Sequence, residues 1–285
     1  MAAAWTVRDV LAWTTDHLTQ SGSDTGRLDA EVLLTHALGL ERIHLYTDPD
    51  RPLSGPERDA YRELVRARAA GTPVAHLIGE REFWSLPIRV TPDVLIPRPD
   101  TEILVEQALA RLPEETAGPV LELGTGSGCI AAALAQERPA LRVDATEASP
   151  EAAAVARDNM ERLEVADRVQ VREGDWWEGA EKEAYTAVVA NPPYVPADDP
   201  HLSHGDVAAE PRGALAAGPD GLDAYRAIIP AAPQYLAPGG WLLLEIGADQ
   251  GETVSALLAE QGFESIAVHT DYGDRNRVVA GQWPS

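Results

Sequence analysis

LELGTGSGC, residues 121–129, joins a short apolar run ending at Leu123 to a helical stretch opening at Cys129, through a loop with glycine at 124, 126 and 128. Glycines there let backbone approach a ligand closely, and the helix that follows turns its unpaired N–H groups towards it. Outward from this loop the chain alternates. VLELG (120–124), LRVDATE (141–147), RVQVRE (168–173), YTAVVAN (185–191) and GWLLLEIG (240–247) are β-rich, with helical stretches such as PEAAAVARDNMERL (150–163) and ETVSALLAEQG (252–262) between them. That alternation predicts an α/β fold with a largely parallel, doubly wound sheet covered by helices on both faces. FESIAVHT (263–270) and RVVAGQW (277–283), joined through Tyr272 to Arg275, predict a terminal antiparallel pair.

The first seventy-odd residues have helical texture instead. Val7, Val10, Leu11 and Leu18 make one apolar face, and Leu28, Val32, Leu33 and Leu38 a second, stopped near Gly39. Pro56 opens a third helix carrying Tyr61, Leu64 and Val65, closed by Gly71-Thr72-Pro73. REFWSLPIRV (81–90) reads as a hairpin, and a helix starts near Pro99 with Asp100 and Glu102 in its first turn. The expected organisation is a small helical substrate-docking bundle over 1–75, a hairpin linker over 76–98 and a catalytic domain over 99–285. A long Pro- and Gly-rich connection runs from Val195 to Gly221, a length that in compact domains marks functional or disordered segments.

With 46 acidic against 23 basic residues the net charge is −23, which argues against affinity built on neutralising nucleic-acid phosphates. Cys129 is the single cysteine, excluding a disulfide framework and fitting a reducing compartment. No run of eighteen apolar residues and no signal-peptide pattern occurs, so a soluble, cytoplasmic protein without a membrane partner is expected. His201 and His204 have no carboxylate spacing that completes a metal site, and none is expected.

Four signals carry chemistry. The glycine loop fails the dinucleotide fingerprint, because its third glycine position is Cys129. Its G-x-G-x-G spacing after Glu122 instead resembles motif I of the S-adenosylmethionine-dependent methyltransferases, where such an acid lies near the amino-acid end of the ligand. Glu147, at the end of the next strand, is placed to accept hydrogen bonds from ribose hydroxyls, with Asp144 the competitor within the same strand. GDWW (174–177) puts Asp175 at a strand end, able to receive an adenine amino group, beside a tryptophan to cover the ring; Trp176 and Trp177 are indistinguishable by position. NPPY (191–194) decides the chemistry. The Asn191 side-chain oxygen and the Pro192 carbonyl can both accept from one planar NH₂ group, and Tyr194 offers a stacking face. An amide nitrogen is a poor nucleophile, and two acceptors on its hydrogens orient it and favour the positive charge that develops on methylation.

HLIGEREFWSLPIRV (76–90), IPRPDTEILVEQAL (96–109), LELGTGSGCIA, GDWW, NPPY, DPHLSHGDVAAEPRGAL (199–215) and DYGDRNRVV (271–279) together resemble the HemK/PrmC family, the bacterial N5-glutamine methyltransferases of peptide chain release factors. The resemblance implies a seven-stranded S-adenosylmethionine-dependent methyltransferase sheet behind a small N-terminal helical bundle, and methylation of the glutamine in the release factors' Gly-Gly-Gln motif. It implies cofactor contacts from Gly124, Thr125, Gly126, Ser127, Gly128, Glu147 and Trp176, with Asn191 touching both cofactor and glutamine. Pro192, Pro193 and Tyr194 would complete the glutamine pocket. The family's ribose acid is often Asp; here Glu147 is one methylene longer. Two alternatives share NPPY: a sister branch methylating glutamine in a large-subunit ribosomal protein, and DNA adenine N6-methyltransferases, which need a duplex-binding, base-flipping surface that this acidic chain lacks.

Overall fold

The computed structural model describes residues 5–116, 118–182 and 184–285, in two compact units: the described residues up to Glu80 with Ser203–Ala209, and Arg81–Leu202 with Glu210–Ser285. The first unit holds α1 (Val7–Gln20), α2 (Gly26–Leu38), the short α3 (His44–Thr47), α4 (Gly55–Ala69) and α5 (Val74–Ile78). Reciprocal capping boxes start α1, with Thr6 and Asp9, and α4, with Ser54 and Glu57. Val7, Val10, Leu11 and Leu18 of α1 are buried as their spacing predicts, and pack with Leu33 and Leu34 of α2 and Tyr61 and Val65 of α4. The Tyr61 hydroxyl donates to the Ala30 carbonyl at 3.1 Å.

The buried face of α2 differs from the expected one. Leu28 is 45% exposed and Val32 only half-buried, while Ala30, Leu33 and Leu34 point inward together with Asp29 and Glu31. The cause is pairing. Glu31 accepts from Arg27 at 2.5 Å, Arg42 at 2.7 Å and the Tyr46 hydroxyl at 2.6 Å, and Asp29 from Arg68 at 2.7 Å. Carboxylates whose lone pairs are satisfied this way can turn inward at the helix's own period, which apolar spacing alone does not register. Arg68 also pairs with Asp206 of the returning 203–209 segment.

A hairpin follows, β1 (Glu80–Phe83) and β2 (Leu86–Arg89), which lies in the second unit from Arg81 on. Of residues 76–98, 76–80 fall in the first unit and 81–98 in the second. Asn159 fixes the hairpin there, accepting from the Arg89 N–H at 2.8 Å while its amide donates to the Arg89 and Ser127 carbonyls. A 3₁₀ turn, Pro99–Thr101, leads into α6 (Glu102–Leu109). Then follow β3 (Pro119–Leu123), α7 (Cys129–Glu137), β4 (Arg142–Glu147), α8 (Pro150–Arg162), β5 (Val169–Glu173), β6 (Tyr185–Ala190), α9 (Asp223–Ile228), β7 (Leu236–Glu245), α10 (Gly251–Gln261), β8 (Glu264–Thr270) and β9 (Asn276–Gln282). The seven-stranded sheet has the order β5-β4-β3-β6-β7-β9-β8, parallel except for β9, which runs antiparallel to both neighbours. Strand order reverses beside β3, so the crevice beyond the carboxyl ends of β3, β4 and β6 is where such a sheet holds its ligand. The connection from Val195 to Gly221 carries three short 3₁₀ turns. Among the described residues no helix is long and apolar enough to cross a membrane.

Candidate active site

A cavity of about 320 Å³ occupies that crevice, within the size range of small-molecule sites. It is lined by Glu122, Gly124, Thr125, Gly126, Ser127, Glu147, Asp175, Trp176, Asn191 and Pro193, which brings ten of the sequence-derived positions around one cavity. The loop's path explains its glycines. At φ +68°, Gly124 carries the Trp176 ring so closely that a Cβ would sit 3.3 Å from it. Gly128, at φ +80°, caps α7 and abuts Met160, where a Cβ would come within 2.6 Å. Its role is packing, away from the cavity.

Glu122 is buried at the cavity wall. One carboxylate oxygen accepts from the Thr125 hydroxyl at 2.6 Å and the Ala131 N–H at 3.0 Å; the other, Oε1, has no partner. Burial, only partly countered by those two hydrogen bonds and reinforced by the nearby negative Glu147, pushes its pKa up to about 8. A buried carboxylate with an unpartnered oxygen beside the cavity is the complement of a cationic group. Glu147 is held differently: Oε2 accepts from the Gly126 N–H at 2.8 Å and Oε1 from the Ser149 N–H at 3.0 Å. Each oxygen keeps a lone pair for a further donor.

The structure separates two pairs that the sequence leaves open. Asp144 is buried away from the cavity, bound to Arg172 at 3.0 Å and the Tyr185 hydroxyl at 3.1 Å, so Glu147 is the acid that faces it. Trp176 lines the cavity, with its backbone at φ +48° and its carbonyl accepting from Thr146 at 2.7 Å. Trp177 instead stacks on Tyr235, centroids 4.5 Å apart, against the apolar core.

NPPY is divided. The Asn191 amide nitrogen donates to Thr101 Oγ1 at 3.2 Å, which leaves its oxygen for another partner, and Pro193 lines the cavity. Pro192 is buried behind it. Tyr194 is not among the residues lining the cavity: it packs against the core, and its carbonyl accepts from Gln250 at 3.1 Å. Burial pushes this phenol up to about 12. The ring expected as a stacking face is half-buried against this core.

Arg98, Thr101 and Pro211 also line the cavity, and sequence reasoning assigned none of them a role. Arg98 pairs with Glu210, whose other oxygen accepts from the Ile96 N–H at 3.0 Å, tying the segment that carries Pro211 to the cavity rim. Their only signal was membership of IPRPDTE and DPHLSHGDVAAEPRGAL. Cys129 lies at the wall, and burial pushes its thiol above its ordinary range, away from nucleophilic use.

The first unit has a groove of its own, about 490 Å³, between α1 and α4. Trp5, Trp13, His17, Arg58, Arg62 and Arg66 line it; Trp13 stacks on His17 at 4.8 Å and the arginines recur every fourth residue along α4.

Residues 9–79 match the family model of the PrmC N-terminal domain, and residues 100–206 that of the methyltransferase small domain. Over 279 residues the chain is 46% identical to a release factor glutamine methyltransferase of Vibrio cholerae, spanning 98% of this chain and 97% of that one. The same figures hold for a protein of that name from Geobacter sulfurreducens. Among solved structures, a methyltransferase from Pyrococcus furiosus superposes with a TM-score of 0.53 at 19% identity, covering 70% of this chain and 90% of that chain. At that identity the likeness is one of fold.

Proposed function

The chain belongs to the release factor glutamine methyltransferase family, and from that premise we propose that it methylates the side-chain amide nitrogen of the Gly-Gly-Gln glutamine in peptide chain release factors, with S-adenosylmethionine as donor, in the cytoplasm. The observation that carries this reading is Asn191 at the end of β6, its amide nitrogen tied to Thr101, lining the same cavity as Glu122 and Glu147. When bound, the cofactor supplies a methyl group made electrophilic by its sulfonium. Glu122 would hold the ammonium of its amino-acid end, Glu147 the ribose hydroxyls, and Asp175 with Trp176 the adenine. The Asn191 oxygen would accept a hydrogen bond from one N–H of the substrate amide and so orient its nitrogen, which gains the methyl as the S–C bond breaks and then loses one N–H proton to solvent; Pro192 and Pro193 hold the strand end rigid. Tyr194 supports this wall from the core side.

Labelled S-adenosylmethionine is the test. Label should enter intact release factor and be absent when its Gly-Gly-Gln glutamine is replaced by alanine. Label entering only a large-subunit ribosomal protein, or only DNA, overturns the reading.

Glu122 links cofactor binding to protons. With its pKa up at about 8 it is largely protonated at pH 7, whereas a cation beside it favours the ionised form. Binding at pH 7 is therefore expected to release up to about one proton, and affinity to rise with pH until about 8 and then level off. Calorimetry in buffers of different ionisation enthalpy reads the proton directly. Glu122→Gln should abolish the release; an unchanged release in that variant places the ammonium elsewhere.

A glutamine pocket is too small to select one protein, since specific complexes bury about 1,200–2,000 Å² in total. The groove between α1 and α4, with exposed tryptophans beside a row of arginines, has the residue types that dominate protein-binding hot spots. Trp13→Ala with Arg62→Glu is expected to raise KM for intact release factor about tenfold or more, at unchanged kcat and cofactor Kd. An unchanged KM would remove this groove from substrate docking.

A further inference from the structure

Arg98 stands between Pro97 and Pro99. The ring of Pro99 bars the residue before it from helical backbone, and Arg98 is extended, at φ −97° and ψ 142°. The turn that follows folds back on it: the Thr101 N–H donates to the Arg98 carbonyl at 3.1 Å, and Thr101 Oγ1 accepts from the Asn191 amide at 3.2 Å. Asn191 follows Ala190, which is paired with Leu123, the residue after Glu122. This run of bonds ties Arg98 to the β3–β6 side of the cavity, where Glu122 lies. Glu147 and Asp175 come from the ends of β4 and β5, on the other side.

The charges around the cavity are unequal. Asp93, Glu122, Glu147 and Asp175 line it, and Arg98 is the one base among the described residues that do. Its side chain is one-third exposed, and a carboxylate with a fully buried side chain holds it: Glu210 accepts from Arg98 Nη2 with one oxygen and from the Ile96 N–H at 3.0 Å with the other. A guanidinium carries five N–H donors in a rigid fork, so a bond at Nη2 fixes the group and still lets it take a second anion.

We propose that Arg98 is a cofactor-binding residue whose guanidinium receives the α-carboxylate of S-adenosylmethionine. The inference rests on the cofactor reading given above. The ammonium and carboxylate of that ligand sit on one carbon, so a site that gives the ammonium to Glu122 must also answer a negative charge beside it. The acids around this cavity repel that charge, and Arg98 is the group of opposite sign on the same side. Holding both substituents fixes the methionine chain, and with it the direction in which the sulfonium offers its methyl group. The carboxylate takes no part in the transfer and is kept in the product, so Arg98 acts on affinity.

The experiment is calorimetry on the full chain with S-adenosylmethionine and with its decarboxylated analogue, which keeps the sulfonium, ammonium, ribose and adenine. The analogue is the more cationic ligand, so an acidic lining alone would favour it. The unsubstituted chain is instead expected to bind S-adenosylmethionine about tenfold or more tightly than the analogue, the usual worth of a hydrogen bond between charged groups. Arg98→Gln keeps an N–H for Glu210 and removes the charge. It should weaken S-adenosylmethionine about tenfold or more and leave the analogue within about threefold, so that the preference vanishes. Arg98→Lys, which keeps the charge without the fork, should retain part of the preference. The inference is overturned if the unsubstituted chain binds the two ligands equally or prefers the analogue. It is also overturned if the preference is undiminished in Arg98→Gln or, should that variant not fold, in Arg98→Lys; the carboxylate would then belong to backbone N–H groups of the glycine loop. An unsubstituted chain that binds neither ligand would instead overturn the cofactor reading itself.

Discussion

Asn191→Ala is expected to lower kcat about a hundredfold or more, the usual cost, about 2.7–4 kcal/mol, of removing one oriented polar group at a reacting centre. The side chain sits half-buried at the end of β6 and donates to Thr101, outside the strand pairing, so its loss leaves the sheet register and the glycine loop untouched. Cofactor Kd should therefore change far less than kcat, because Glu122, Glu147 and Trp176 come from other strand ends. Single-turnover methylation of release factor together with calorimetric titration of cofactor separates the two quantities. Turnover at the unsubstituted rate would mean that the substrate amide is not held by this residue.

Glu147→Ala carries the second largest effect. Two hydrogen bonds to a charged acceptor would be lost, weakening cofactor binding by about 1–3 kcal/mol, or roughly 5- to 150-fold in Kd. The same change frees the Gly126 and Ser149 N–H groups that the carboxylate now holds, so part of the loss comes through the loop. Glu147→Asp is the informative companion: it keeps both acceptors, retracts them by a methylene, and should lie between the two. Asp144→Ala provides the contrast. It removes one of the two carboxylates paired with Arg172, which keeps Glu181, and an acceptor of the Tyr185 hydroxyl inside the second unit, so it should lower Tm with little change in cofactor Kd. Equal losses of affinity from Asp144→Ala and Glu147→Ala would contradict the separation of roles.

The sequence by itself determined what depends on neighbours in the chain. Strand and helix periods, the glycines of 121–129, Pro56 at a helix start and the hairpin at 81–90 express local backbone preferences, so the doubly wound sheet, its terminal antiparallel pair and the helical bundle were legible from them. So were most of the cavity's residues, because a parallel sheet puts the residue after each strand at one rim, and Glu122, Glu147, Asp175 and Asn191 each sit at or near such an end. Only the tertiary structure decided between chemically similar neighbours and joined distant ones. Trp176 and Trp177 differ in which side of a positive-φ turn they leave, and Tyr194 is claimed by a core that no local pattern announces. The inward face of α2 depends on Arg42 and Tyr46, the cavity rim on a bond between Ile96 and Glu210 spanning 114 residues, and the orientation of Asn191 on Thr101, 90 residues earlier. A buried polar group is tolerated only where a partner satisfies it, and that partner is assigned by the packing of whole elements, not by spacing along the chain.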